Sequence, residues 1–220
     1  MRLICEHVTK RFAGTTAVKD INLDVEATCI VVMGANAAGK STLLKMIATV
    51  LKPDEGRLTL NSLDIVKHPH IIRKRLSYLP EEPALIETLS ARENLKFFAK
   101  IKGDNGEFLN LSRMLRVDLD DHKPVRNLSK GTRRKLSLCI ALLGEPEILV
   151  LDEPTSGLDE EAKAVVWSKL KELKEKNVAM IIATHQIEEV KDLADVLLIL
   201  DKGHLIKTVQ LGSVTSNIQF

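Results

Sequence analysis

No stretch of this sequence approaches the roughly 18 to 20 consecutive apolar residues that a membrane-spanning helix needs. Cysteine is scarce: Cys5, Cys29 and Cys139 are odd in number and scattered, and two of them sit in apolar runs. They read as buried thiols in a reducing compartment, not as disulfides or a metal cluster. The formal charge of only +2 gives no strong pull toward nucleic acid or an anionic membrane surface, so no nucleic-acid partner is expected. Met1 to His7 lacks the apolar stretch of a signal peptide, and neither an internal repeat nor a low-complexity linker is present. Aromatics are sparse as well, with one Tyr, one Trp and five Phe, so an aromatic in a loop is informative. What remains is 220 residues with 45% apolar and 28% charged side chains. That suits one large domain, or a core with an inserted subdomain, and the expectation is a cytosolic globular protein.

The chain is organised around Gly34-Ala35-Asn36-Ala37-Ala38-Gly39-Lys40-Ser41-Thr42. This fits G-x-x-x-x-G-K-[ST], a loop that cradles phosphates when a strand precedes it and a helix follows. Both flanks fit. Cys29 to Met33 is an unbroken apolar run, and Leu43, Leu44, Ile47, Ala48 and Leu51 recur at helical spacing. Backbone N–H groups and the helix N-terminus would then wrap an anion, with Lys40 on the outer phosphates and the Ser41 hydroxyl on magnesium.

Before this loop, residues 2–9 and 21–25 alternate loosely and predict strands of an antiparallel edge sheet. Lys10 to Gly14 reads as a loop between them. Its Phe12 either folds back onto the core or offers a ring on which a purine base stacks. After the first helix, Pro53-Asp54-Glu55-Gly56 marks a turn, Arg57 to Leu60 a strand, and Asn61-Ser62 another turn. A basic segment, Lys67 to Arg75, follows. Its His68 and His70 flank Pro69 and have no acidic or thiol partner nearby, so they offer no metal site. Leu76 to Leu79 reads as a strand, broken by Pro80-Glu81-Glu82-Pro83. From Ser90 the pattern turns helical. Ser90 with Glu93 is a capping box for a helix carrying Leu95, Phe98 and Ile101, which Gly103 to Gly106 ends. Phe108, Leu111 and Leu115 mark a second helix. Ser129 caps a third, with Leu136, Ile140 and Leu143 on one face. Beyond it, Ile148 to Leu151, Val178 to Ala183 and Val196 to Leu200 are apolar at nearly every position. Helical patterns separate them: Ala162, Val166, Leu170 and Leu173, then Ile187, Val190 and Leu193. Such strands, interleaved with amphipathic helices, imply a parallel sheet covered on both faces. A hairpin at Asp201-Lys202-Gly203 leads to Leu205 to Lys207, and the polar tail after Gly212 is expected to be mobile.

Two carboxylates, Asp152 and Glu153, follow the run 148–151, at the end of a parallel strand where ligands bind in open α/β sheets. An unpartnered charge there would cost several kcal/mol, which implies a cation or a hydrogen-bonded solvent site. Two acids suit two tasks. Asp152 holds magnesium through water or the Ser41 hydroxyl, while Glu153 points the other way along the strand to orient and deprotonate water at the γ-phosphate. His185 ends the next buried run. Its position among the strand ends favours a hydrogen bond to the γ-phosphate over a structural role.

Leu128-Ser129-Lys130-Gly131-Thr132 lies between these motifs at a helix start, and here the chain resembles the ATP-binding-cassette (ABC) ATPases, whose signature is L-S-G-G-Q. Tyr78-Leu79-Pro80-Glu81 is similar to the family's loop that usually ends in Gln. Ser156-Gly157-Leu158-Asp159 resembles the D-loop, His185 the switch histidine, and Phe12 the base-stacking aromatic. The resemblance runs from about residue 2 to 212. It implies a P-loop NTPase core of the RecA-like α/β class with an antiparallel β-subdomain (1–83 and 145–220) and an inserted α-helical subdomain (84–144). It also implies a Mg2+-dependent ATPase that binds ATP with Phe12 and the whole loop Gly34 to Thr42. Glu153 and His185 would be catalytic, and Ser41, Asp152 and Glu81 would hold the metal. Ser129, Gly131 and Asp159 would contact the nucleotide of a second copy in a sandwich dimer. The free N–H groups of Lys130, Gly131 and Thr132 make that helix start a second anion site. The implied partners are integral membrane permease subunits, so the cassette would sit on the cytoplasmic face of the membrane. Glu81-Glu82-Pro83 is similar to cassettes of separate export-type permeases for drugs, lipids, polysaccharide or sodium.

Three positions depart from the family pattern. Ala37 replaces a glycine, so its backbone is expected to avoid conformations that glycine alone tolerates. Lys130 and Thr132 replace Gly and Gln of the signature. Glu81 exchanges a neutral metal-side group for a charged one. The cluster Lys130, Arg133, Arg134 and Lys135 stands where a helix dipole disfavours cations, and reads as a solvated face offset by nearby acids. Two alternatives to a transporter subunit stay open: a soluble cassette in a role such as iron–sulfur assembly, and an ATP-bound switch with little turnover.

Overall fold

The computed structural model describes residues 1–104 and 106–211. Asn105 in the Gly103–Gly106 segment and the polar tail after Gly212 lie outside the described residues. In chain order, β1 (Arg2–Phe12) and β2 (Thr15–Glu26) are followed by β3 (Cys29–Met33), α1 (Lys40–Ile47), β4 (Glu55–Leu60) and β5 (Leu63–Asp64). Then come α2 (Pro69–Arg73), β6 (Leu76–Leu79), α3 (Ala91–Lys102), α4 (Phe108–Met114) and α5 (Lys130–Leu142). The last part holds β7 (Ile148–Asp152), α6 (Glu160–Glu175), β8 (Ala179–Ala183), α7 (Ile187–Val190), β9 (Val196–Asp201) and β10 (His204–Gln210).

The apolar runs form a six-stranded sheet in the order β10-β9-β3-β8-β7-β6. Its neighbours are parallel, except that β10 pairs antiparallel with β9. Although the central strands are apolar at nearly every position, side chains still alternate between faces. Cys29 and Val31 join one core with Leu149, Leu151 and Ile182, packed under α3, α5 and α6. Ile30 and Val32 join another with Val150 and Ile181, covered by α1 and by a four-stranded antiparallel sheet of order β2-β1-β4-β5. This is the α/β architecture expected, with helices on both faces.

Strand ends differ most from expectation in β1 and β2. Both run through what reads as a loop, so Lys10 to Phe12 are strand and only Ala13-Gly14 turns the chain. Register shifts between Cys5, Val8, Lys10 and Arg11 break the period of two, and each bulge flips the alternation by which a strand is recognised. Pro69 opens α2 at its first turn, with His68 as the N-cap, the helix position that a proline tolerates best. α1 ends at Ile47, and Thr49 follows with φ 60°, so Leu51 is not on that helix.

Between β6 and β7 the chain is helical. Ser90 accepts from Glu93 N–H, and the Glu93 carboxylate accepts from Ser90 N–H at 2.8 Å. The buried stripe of α3 holds Ala91, Leu95 and Ala99, whereas Ile101 is 65% exposed. At about 100° per residue, position 101 falls off the stripe through Leu95. Asn94, fully buried, ties the incoming loop by accepting from Ile86 N–H and donating to the Ile86 and Ser90 carbonyls. Ser90→Ala should remove the Oγ half of the reciprocal cap, leave the bond from the residue-90 N–H to Glu93, and cost about 1 kcal/mol. Urea denaturation checks this, and an unchanged midpoint would contradict it.

Candidate functional site

Gly34 to Thr42 links β3 to α1 as a loop whose shape two glycines make possible. At Gly34 a Cβ would lie 2.3 Å from the Leu200 carbonyl oxygen, and at Gly39 (φ 102°) one would lie 2.5 Å from that of Ala17. Neither space admits a side chain. Gly203 N–H donates to the Ala38 carbonyl at 3.0 Å and Lys19 N–H to the Gly203 carbonyl at 2.8 Å, so the β9–β10 turn and β2 brace the loop from behind. Gly39, the N-cap of α1, offers no side chain to the first-turn amides, which leaves them for an external acceptor. Lys40 is buried, and its Nζ donates to the carbonyls of Gly34 (2.8 Å) and Ala35 (3.2 Å). An ammonium has three donors, so one remains. Ala37 contradicts expectation: its φ is 63°, in the left-handed region that favours glycine. The small methyl is tolerated there at a cost on the order of 1 kcal/mol.

A cavity of about 580 Å3 opens over this loop, lined by Ala37 to Thr42 and, opposite, by Thr15 to Ala17 with Lys19 and Lys202. Those two lysines are cations that sequence reading missed. They come from β2 and the β9–β10 turn, and only tertiary packing brings them to the loop.

Asp152 ends β7 with no exposed surface, and no hydrogen bond of normal geometry reaches either carboxylate oxygen. Its pKa is raised, chiefly by burial and further by the charges of Glu81 and Glu153, while nearby Ser41 and Arg134 act against the rise. A bare buried carboxylate beside a hydroxyl is an oxygen donor set suited to a hard divalent cation. Glu153 lies one residue past the strand with φ 48°, not along it as expected. This turn aims its carboxylate at His185, whose Nδ1 is 3.0 Å from both oxygens. A carboxylate only accepts, so Nδ1 carries the proton, and Nε2 is left to accept from Gln186 Nε2 at 3.3 Å. The Glu153 side chain is 13% exposed and that of His185 53%. Glu81 is exposed and reaches this group through its charge.

The remaining residues lie apart. Phe12 is 44% exposed, with Lys10 Nζ 5.4 Å from its ring centroid, so it is not folded onto the core. It pairs in register with Thr15 at the cavity's edge. Ser129 caps α5, accepting from Thr132 N–H at 3.1 Å. The Thr132 amide is therefore not free, and the amides of Lys130 and Gly131 remain. Asp159 caps α6, accepting from Ala162 N–H at 2.8 Å, and pairs with Lys135 at 3.2 Å. None of Ser129, Gly131 and Asp159 lines the cavity over the loop. The basic cluster is no solvated face at Arg134, which is 2% exposed. It reaches inward to five backbone carbonyls of the Glu81 and Glu153 segments, while Arg133 pairs with Glu87.

A family model described as ABC transporter matches residues 18–156. The chain belongs to the ABC transporter family. Over 203 residues, 90% of its length, the cassette is 36% identical to the "Daunorubicin resistance ATP-binding protein DrrA3" of Streptomyces coeruleorubidus, of which it spans 64%. It is 32% identical over 205 residues to the "ABC transporter ATP-binding protein NatA" of Bacillus subtilis, covering 90% of this chain and 83% of that one. A solved structure titled "Structure of ATP binding subunit of ABC transporter" superposes with TM-score 0.84 at 26% identity, over 96% of this chain and 90% of that one.

The raised pKa of Asp152 means that its carboxylate opposes folding at neutral pH in the absence of a cation. That opposition fades as pH falls from the folded pKa toward the unfolded value of 3.8. Asp152→Asn is expected to raise the denaturation midpoint of the nucleotide-free cassette at pH 7, with the gain shrinking as the pH is lowered. It should also lose the further rise that magnesium with ATP gives the parent. Thermal melts across that pH range check both; a lower midpoint at pH 7 would count against a bare buried charge.

Proposed function

We propose that this chain is a Mg2+-dependent ATPase that works as one of two identical cassettes on an integral membrane permease. The observation that carries the reading is the fully buried Asp152, its carboxylate without a hydrogen-bond partner, in the same fold as a phosphate loop whose amides and lysine are poised for an anion. The first-turn amides of α1 and Lys40 would bind the outer phosphates of ATP, Lys19 and Lys202 would add positive charge at the cavity's rim, and Phe12 would stack on the base. Magnesium, when bound, would be held by the Ser41 hydroxyl and Asp152, with Glu81 adjacent, and would neutralise charge on the phosphate oxygens. Glu153 then acts as general base. His185 holds its carboxylate through Nδ1–H, which fixes the direction in which a water must be oriented.

Ser129, Gly131 and Asp159 complete the site of a second copy. The support is that they lie off the phosphate cavity of their own chain while the amides of Lys130 and Gly131 stay available. Residues 84–144 form the subdomain that would carry this half-site and move with the Glu81 loop against the permease, relative to a core of residues 1–83 and 145–220. Among the described residues no helix is long and apolar enough to cross a membrane, so the location proposed at the cytoplasmic membrane face depends on that partner. Relatives named for drug resistance and ABC transport favour an exporter. Co-purification of the chain with an integral membrane protein tests that part.

Glu153→Gln should slow phosphate release by about 100-fold or more while ATP still binds, and should trap an ATP-bound dimer visible as a doubled mass in light scattering. A parent-like rate would remove Glu153 from its role. Lys40→Ala deletes a charge-assisted bond worth about 1.5–3 kcal/mol, so calorimetry should find ATP affinity lowered by about ten- to a hundredfold; unchanged affinity would contradict the phosphate-loop assignment.

A further inference from the structure

Arg134 donates from every N–H of its guanidinium. Nε reaches the Pro154 carbonyl at 3.2 Å; Nη1 reaches those of Pro80 (2.6 Å) and Glu81 (3.0 Å); Nη2 reaches those of Asp152 (2.5 Å) and Glu153 (2.6 Å). Five donors thus meet five carbonyls, and none of these bonds is to a carboxylate. Burying a guanidinium is costly unless its hydrogen bonds are satisfied, and burial pushes its pKa down to about 10, which leaves it charged at neutral pH.

The identity of the acceptors gives the arrangement its meaning. Three are consecutive residues at the end of β7, and two are the residues after β6. In an extended strand successive carbonyls point to opposite sides, so three converge on one group only where the backbone turns. Here it turns at Glu153, at φ 48°. A non-glycine residue in that region holds a conformation costing about 1–3 kcal/mol unless its surroundings impose it, and Arg134 is bonded on both sides of the turn. The arginine itself stands in the second turn of α5, whose first turn carries Ser129 and Gly131.

We propose that Arg134 is a positioning residue for hydrolysis, its buried guanidinium holding the Glu153 turn and the Glu81 loop in one frame so that the orientation of α5 sets the aim of the general base. It touches no nucleotide and acts through Glu153. The proposal rests on the reading of Glu153 as that base.

The test is steady-state and single-turnover phosphate release, with ATP affinity, for the full chain carrying Arg134→Lys or Arg134→Gln, alone and with Glu153→Gln. Lysine keeps the charge but loses the planar fork. The expected result is a fall in kcat on the order of 100-fold, larger for Gln than for Lys, with KM and ATP affinity unchanged. In the Glu153→Gln background the same substitutions should have almost no further effect, because a misaimed base and an absent base are equivalent. A parent-like kcat would overturn the proposal, as would a loss retained in full beside Glu153→Gln or one carried by KM. If neither variant folds, Arg134 is a structural residue and the proposal is lost. A parent without turnover would sink the reading of Glu153 and this proposal together. A parent that turns over and loses its rate in Glu153→Gln, beside Arg134 variants that match it, would sink this proposal alone.

Discussion

A carboxylate with no exposed surface and no hydrogen-bond partner, Asp152, is the constraint to which the rest of the site answers. An isolated charge at that depth would cost several kcal/mol, and the chain answers it by assembling charges of both signs around the end of β7. Glu81 and Glu153 make the negative potential deeper, while Arg134 opposes it. The arginine cannot neutralise Asp152 directly, because all five of its donors are committed to backbone carbonyls. What results is a pocket of negative potential whose scaffold is rigid and whose carboxylate oxygens are bare, next to a loop built to hold polyanions. A divalent cation shared between the carboxylate and a phosphate would satisfy both at once. Phosphate loop and acid are then two halves of one electrostatic problem, which is why β3 and β7, separated in the sheet only by β8, carry them at the same edge.

Much of this was legible because the residues involved act through local spacing. The glycine loop, the apolar runs, the cap at Ser90 and the acids after residue 151 each leave a pattern within a few residues. What stayed hidden depended on conformation or on long-range placement. Ala37 and Glu153 both adopt positive φ, and nothing in the letters of a non-glycine residue announces that. Arg134 was misread because its neighbours on both sides are cationic and two of them, Arg133 and Lys135, do reach surface acids. At about 100° per residue, Lys130, Arg133 and Arg134 fall on one face of the helix, so spacing gives no sign that Arg134 alone turns inward. Lys19 and Lys202 had no signal either. In β1 and β2 the period of two was broken by bulges, so the strand ends were lost although the strands were found.

The polar ties between the helices and the core are few in kind and specific in place. Arg116 makes a paired contact with the Glu161 carboxylate at 2.5 and 2.7 Å, and Lys135 meets Asp159 at 3.2 Å. Both are surface pairs, which contribute little and yield to salt. Lys102 is different: half-buried, with its pKa pushed down to about 8 by desolvation, it donates to Ser77 Oγ and the Ile140 carbonyl, both at 2.7 Å. Arg134 is the deepest tie of all. We read the weak ties at the Asp159 side and the strong ones at the β6–β7 side as a hinge with a free and a fixed edge. A force applied to the free edge, where Ser129, Gly131 and Asp159 lie, would rotate α5 about its anchored side. The anchored side is where Arg134 holds the backbone of Glu153. Rotation there need not be large, since re-aiming a carboxylate by about an ångström is enough to separate a productive from an unproductive water. If two copies pair as proposed, one side chain and five hydrogen bonds join the contact between them to the proposed general base, with no requirement that the phosphate loop move at all.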